Sequence, residues 1–136
     1  MMRRSLVALG VVIVVMGVLD AIWLGTMVPA VYRPQMGTLL SDNPVWAAAG
    51  AFYLLYAIGL VALVVLPSLG GERPVRDAAL RGALFGLVAY GTYDLTNLAT
   101  MRDWPVIVTA IDMSWGASLT AVTSLAAAWA TRRLAG

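Results

Sequence analysis

The sequence predicts an all-α integral membrane protein, a bundle of four transmembrane helices with both termini on the cytoplasmic side. Three observations lead there. First, 61% of the 136 residues are hydrophobic and 12% are charged, with a mean hydropathy of +0.85, whereas a soluble domain carries about 25% charged residues. Second, four apolar stretches, at about Ser5 to Val28, Val45 to Leu66, Ala78 to Thr100 and Pro105 to Ala130, each supply the roughly 20 residues that a helical crossing of the hydrocarbon layer requires. Third, Arg3, Arg4, Arg73, Arg76, Arg81, Arg132 and Arg133 fall on one side of these spans and only Arg33 and Arg102 on the other. Arginine-rich flanks stay inside, so this asymmetry puts both ends in the cytoplasm of a bacterial inner membrane.

The chain reads as one transmembrane domain, residues 1–136. Helix one follows Met1-Met2-Arg3-Arg4 and runs past Asp20 to Val28 without a small-residue cleavage motif, so it is expected to be retained rather than removed as a signal. Pro29 and Pro34 are expected to end it. Asp42-Asn43-Pro44 leads into helix two, and Pro67 through Pro74, with Gly70 and Gly71, turns the chain back. Helix three carries Gly82 and Gly86, a small-xxx-small pair suited to close helix contact. In the connection Arg102-Asp103-Trp104-Pro105, Asp103 is a candidate N-cap and Pro105 suits a first helical turn. So short a link makes helices three and four antiparallel neighbours. Trp46 and Trp104 are expected at the outer interface and Trp129 at the inner one.

Cysteine and histidine are both missing, which removes disulfides, thiolate chemistry, histidine-ligated haem and the usual zinc sites. The sequence points to no cofactor and no metal. Nine arginines give a net charge of +2, and in so apolar a chain they serve topology and lipid headgroups rather than nucleic acid. Membrane lipids are therefore the first expected partners.

Asp20, Asp94 and Asp112 lie within the predicted spans. A carboxylate at mid-bilayer costs about 2.5–3.5 kcal/mol on insertion scales, so acids placed there mark functional sites by default. At about 1.5 Å per residue, the three sit roughly 9–12 Å below the outer boundary. The same depth on helix two falls at Phe52 and Tyr53, with Tyr56 one turn further in. Helical spacing groups Tyr90 and Asn97 with Asp94, Trp115 with Asp112, and Trp23 with Asp20. The expected site is thus Asp20, Trp23, Tyr53, Tyr56, Tyr90, Asp94, Asn97, Asp112 and Trp115, facing inward, with at least one proton shared among the carboxyls. Thr120 and Thr123 continue a polar stripe toward the cytoplasm. Polar groups can also simply bind helices together, and for Asn97, Thr109, Thr120 and Thr123 that is the leading expectation.

The segments DAIWLG (20–25), FYLLY (52–56), YDLTNLAT (93–100), WP (104–105) and DMSWG (112–116) resemble the bacterial membrane-protein family called domain of unknown function 2177. The resemblance implies a four-helix inner-membrane protein with a recurring polar signature at Asp20, Trp23, Tyr53, Asp94, Asn97, Asp112 and Trp115, and it supplies no reaction.

Three functions fit these residues. The leading one is exchange of a proton or cation at the carboxylate layer for a small hydrophobic or cationic solute, as intramembrane acids do in transporters. The second is an embedded enzyme acting on a lipid or isoprenoid chain by aspartate acid and base chemistry. The third is an accessory or assembly subunit, in a homo-oligomer or a larger membrane complex, whose polar layer fixes helix register.

Overall fold

The computed structural model describes residues 1–136 and contains helices and turns only. We label the four long helical segments α1 (Met2–Leu39), α2 (Trp46–Ser68), α3 (Pro74–Thr100) and α4 (Val106–Ala135). By length and apolar composition, α1, α2 and α4 are each able to cross a membrane. Helix α3 matches them in length, but it carries Arg76, Asp77, Arg81 and Asp94 and is less apolar.

Helix α1 does not stop at Val28. It continues through a π-helical turn at Val28–Tyr32 and on through Arg33–Met36, ending in a short 3₁₀ turn at Gly37–Leu39. Pro29 has no N–H to donate, and its ring crowds the carbonyl four residues back. The π turn accommodates this, with the Arg33 N–H bonding to the Val28 carbonyl five residues earlier. Helix α2 repeats the device before Pro67: Val61–Val65 form a π turn, and the Ser68 hydroxyl donates to the Val64 carbonyl at 2.7 Å. Pro29, expected to end its helix, is thus absorbed, as membrane helices allow when backbone groups find other partners, whereas α2 ends at Ser68 just after Pro67, as expected.

Helix α4 is the centre of the molecule, flanked by α3 on one side and α1 on the other. Its contact with α3 is the closest in the protein. A Cβ on Gly82 would strike Ser124 and the Thr120 carbonyl, and one on Gly86 would strike the Gly116 carbonyl, so these glycines let two backbones meet. Gly116 in turn makes room for the Tyr90 ring. Helix α2 joins the others mainly through its second half, where Leu60, Val61, Val64 and Val65 pack with Ala8, Val12, Ala78, Ala127 and Ala128. Its first half splays away, and from Trp46 to Leu55 only Tyr53 is even half-buried.

The two ends differ in how they close. Arg3 donates to the Leu134 carbonyl at 2.6 Å and Arg4 to the Ala135 carbonyl at 3.2 Å, so the start of α1 covers the unpaired carbonyls at the end of α4. Both termini, and with them the arginine-rich segments, therefore lie at one end, called the inner end below after the orientation expected from the arginines. At the outer end the α3–α4 turn departs from the sequence expectation. Asp103 adopts a left-handed conformation at φ 58°, which Asp tolerates better than most residues, and it caps nothing. Pro105 is the N-cap of α4, without a side-chain cap bond. Trp104 is no interface anchor: it is buried, donates its indole N–H to Thr109 Oγ1 at 3.0 Å and meets the Tyr93 ring edge-on.

Candidate functional site

Asp20 on α1 and Asp112 on α4 sit on neighbouring helices, and each is held by an aromatic donor from the other. Trp115 of α4 donates its indole N–H to Asp20 Oδ1 at 3.1 Å. Tyr32 of α1 donates its hydroxyl to Asp112 Oδ1 at 2.9 Å and accepts the indole N–H of Trp23 at 3.0 Å. Between these two arms the Trp23 and Trp115 rings stack, with centroids 4.2 Å apart and planes within 4°. The result is a reciprocal clamp from α1 to α4 in which every indole N–H and the Tyr32 hydroxyl are satisfied.

Asp94 of α3 is different. It is 0% exposed, and neither carboxyl oxygen has a hydrogen-bond partner. It lies beside Asp112, within side-chain hydrogen-bonding reach. A carboxyl so buried and so placed calls for a donor, whether a proton held between the two acids or a group on a bound molecule. No arginine supplies one, because the ion pair in the protein joins Arg33 to Asp42 at 2.9 Å on the exposed outer turn.

Beside this acidic centre the splay of α2 leaves a cavity of about 630 Å³. Ala48, Ala49 and Phe52 of α2 and Ala89, Tyr90 and Tyr93 of α3 line it, with Asp112 as its charged residue. Tyr56 marks the level where α2 rejoins the others: its hydroxyl is 2.8 Å from Thr120 Oγ1, and its ring meets Phe85 and Tyr90 edge-on at 5.3 and 6.3 Å. Below Tyr56 lies the packed apolar core of the inner half.

Of the residues expected from sequence, Asp20, Trp23, Asp112 and Trp115 form the clamp, Asp94 adjoins it, and Tyr90 shares the cavity with Asp112. Tyr56 stands one turn deeper, bonded to Thr120 instead of to an acid. Tyr53 is half-buried and packs with Met16, Tyr56 and Leu119 as an apolar body. Asn97 is half-buried on α3, and neither Asp20 nor Asp112 takes a hydrogen bond from it.

Tyr32 is the member that sequence reading misses, because Pro29 was expected to end the helix before reaching it. Twelve residues separate Asp20 from Tyr32, and on a regular helix at about 100° per residue that spacing would turn Tyr32 roughly 120° off the Asp20 face. The π turn takes up one extra residue and brings it back into line. The available signal was a tyrosine one turn beyond a proline that a membrane helix can carry.

Long apolar helices around buried carboxyl and aromatic side chains define a helical membrane protein with a buried polar cluster. The chain belongs to the family described as predicted membrane protein DUF2177, whose pattern matches residues 5–129. No curated protein and no solved structure matches it.

Proposed function

We propose that this protein is a four-span component of the bacterial cytoplasmic membrane, with both termini in the cytoplasm, that takes a hydrophobic molecule with a cationic or hydroxyl head from the outer half of the bilayer and exchanges a proton with it at Asp94 and Asp112. The observation that carries this reading is the cavity of about 630 Å³ whose walls are apolar and aromatic and whose charged residue is Asp112. An ammonium or hydroxyl group there would meet a carboxylate, the faces of Tyr90 and Tyr93, and the unpartnered Asp94 behind Asp112. The molecule's chain would lie between the splayed half of α2 and α3, where a bilayer lipid already has access.

The inward-buried Asp94 supports α3 as a fourth span. So does the back-bonding of Thr92 to the Val88 carbonyl at 2.7 Å and of Thr100 to the Thr96 carbonyl at 2.8 Å, which removes exposed donors from lipid. The gathering of seven arginines at the inner end supports the orientation. Single cysteines placed in this cysteine-free chain at Ser41 and Gly70 test it: Ser41→Cys should label from outside intact cells and Gly70→Cys only after permeabilisation.

Passage of a solute across the membrane is the use first expected of this layer. The geometry favours binding and chemistry from the outer leaflet, because the core below Tyr56 is closed by Leu60, Val64, Val65, Ala127 and Ala128. A lipid-modifying enzyme is favoured by one observation, the unlike surroundings of the two acids: Asp112 takes the Tyr32 hydroxyl, while Asp94 is fully buried with no neighbour but Asp112 to share a proton. Two carboxyls in unlike settings suit paired acid and base roles.

Binding is tested with the purified protein in nanodiscs, using long-chain amine, alcohol and carboxylate probes of equal chain length and reading tryptophan fluorescence from the Trp23 and Trp115 stack. Amine and alcohol should perturb the emission saturably and the carboxylate should not, and Asp112→Asn should weaken the amine at least tenfold. Equal responses to all three probes, or an unchanged response in the variant, would reject the proposal.

A further inference from the structure

At the opposite end of the molecule a second polar site has no part in the chemistry above. A cavity of about 290 Å³ lies between the start of α1 and the end of α4, lined by Arg4, Leu69, Thr131, Arg132 and Gly136. Thr131 is 1% exposed, yet its hydroxyl has no hydrogen-bond partner. Ser114, Ser118 and Thr120 of the same helix bond the carbonyl four residues back, whereas Thr131, like the buried Thr123 and Ser124, does not, and of these three only Thr131 borders this cavity. Arg132 borders a second cavity of about 250 Å³, with Val75, Trp129 and Arg133. Neither Arg4 nor Arg132 is paired with a carboxylate, and Arg4 uses only its Nε, on the Ala135 carbonyl.

We propose that this cavity binds a phosphate group, and specifically the anionic phosphodiester headgroup of a membrane lipid. Guanidinium groups from two helices would donate to the phosphate oxygens in their fork geometry, and Thr131 would supply the hydroxyl donor that now lacks an acceptor. Leu69 beside the cavity and Trp129 in the adjoining one offer apolar surface at the level of a headgroup, so a lipid's glycerol and acyl chains continue naturally outward from the phosphate. Basic recesses between membrane helices at this level are suited to anionic lipids. Bound lipid would tie α1 to α4 at the inner end, where the protein's own polar contacts between them are the bonds from Arg3 and Arg4 to terminal carbonyls.

The test follows the thermal midpoint of the full chain in detergent during titration with phosphatidylglycerol, phosphatidylcholine or inorganic phosphate. Phosphatidylglycerol should raise the midpoint by about 4 °C or more, and phosphatidylcholine by less than half as much. Arg132→Gln should abolish the difference between the two lipids, and Thr131→Val, which keeps the side-chain shape, should reduce it. Arg33→Gln, at the other end, should retain it in full. Should Arg132→Gln not fold, Arg132→Lys keeps the charge without the fork and should show a smaller difference. Inorganic phosphate acting as strongly as phosphatidylglycerol would uphold the phosphate site and assign it to a soluble ligand, overturning the lipid. Equal shifts from the two lipids, or an undiminished difference in the Arg132 and Thr131 variants, would overturn the site itself.

Discussion

The inner and outer halves of this protein are held together by different physics. In the inner half α2, α3 and α4 meet through glycine, alanine and valine, with backbones so close at Gly82 and Gly86 that no side chain fits between them. In the outer half α1 and α4 are joined by stacked indoles and hydrogen bonds to two carboxyls, while α2 stands clear of α3 and a cavity opens. Lipid tails are as apolar as leucine, so helices in a bilayer associate through dense packing or through polar contacts and gain little from hiding hydrophobic surface. The inner half uses the first means and can be rigid. The outer half uses the second and leaves room for a guest.

Breaking the contrast is most direct at the glycines. Gly86→Leu forces a side chain into the Gly116 carbonyl and Thr120, and should cost about 3 kcal/mol or more, read as loss of the folded species in detergent unfolding. Ala49→Leu on the cavity wall should change stability by less than about 0.5 kcal/mol while abolishing the response to the amine probe. Comparable destabilisation by both would show that the outer half is as tightly packed as the inner.

Hydrogen bonds should separate the halves next. Tyr32→Phe leaves the Trp23 N–H and Asp112 without their shared partner and should cost about 1–3 kcal/mol. Tyr56→Phe should cost only about 0.6 kcal/mol, the mean for interhelical bonds in membranes, because Thr120 keeps its bond to the Gly116 carbonyl. The ratio of the two, measured by reversible unfolding in mixed micelles, tests whether the clamp or the deeper tyrosine holds the outer half.

A smaller stability effect is expected at Asp94. Asn in its place keeps the volume and can donate to Asp112, so Asp94→Asn should alter stability by less than about 1 kcal/mol. The consequence lies in function: amine affinity should vary with pH in the wild type, and the variant should lose the step that belongs to Asp94 and keep only that of Asp112. A pH profile unchanged by the substitution would remove Asp94 from proton exchange and leave it a packing residue, in keeping with an assembly role. Leu55→Ala, at a residue of α2 that is 71% exposed, should be the quietest change, within about 0.5 kcal/mol by thermal midpoint.

The sequence by itself determined the long apolar helices, because apolar length is a local quantity, but it placed the end of α1 at Val28, the point from which the depth of Asp20 was counted, and the helix runs on to Leu39. A run of apolar residues spans or does not by its own length, and depth accrues at a constant rise per residue along any helix. Asp20, Asp94 and Asp112 could be expected to gather before their helices were arranged, and Gly82 with Gly86 could be read as a close contact. The tertiary structure decided direction and spacing. Whether Tyr32 faces Asp112 depends on one residue absorbed in a π turn past Pro29, and whether Tyr53 or Tyr56 reaches a polar partner depends on how far α2 leans from its neighbours. Trp104 turned inward because Thr109 offered an acceptor, a choice that its place beside the membrane boundary does not encode. Asp94 is fully buried beside Asp112 because α3 and α4 pack closely against each other. Rotation about a helix axis and tilt between axes are set by packing among all four helices at once, and no single segment of the chain contains that information.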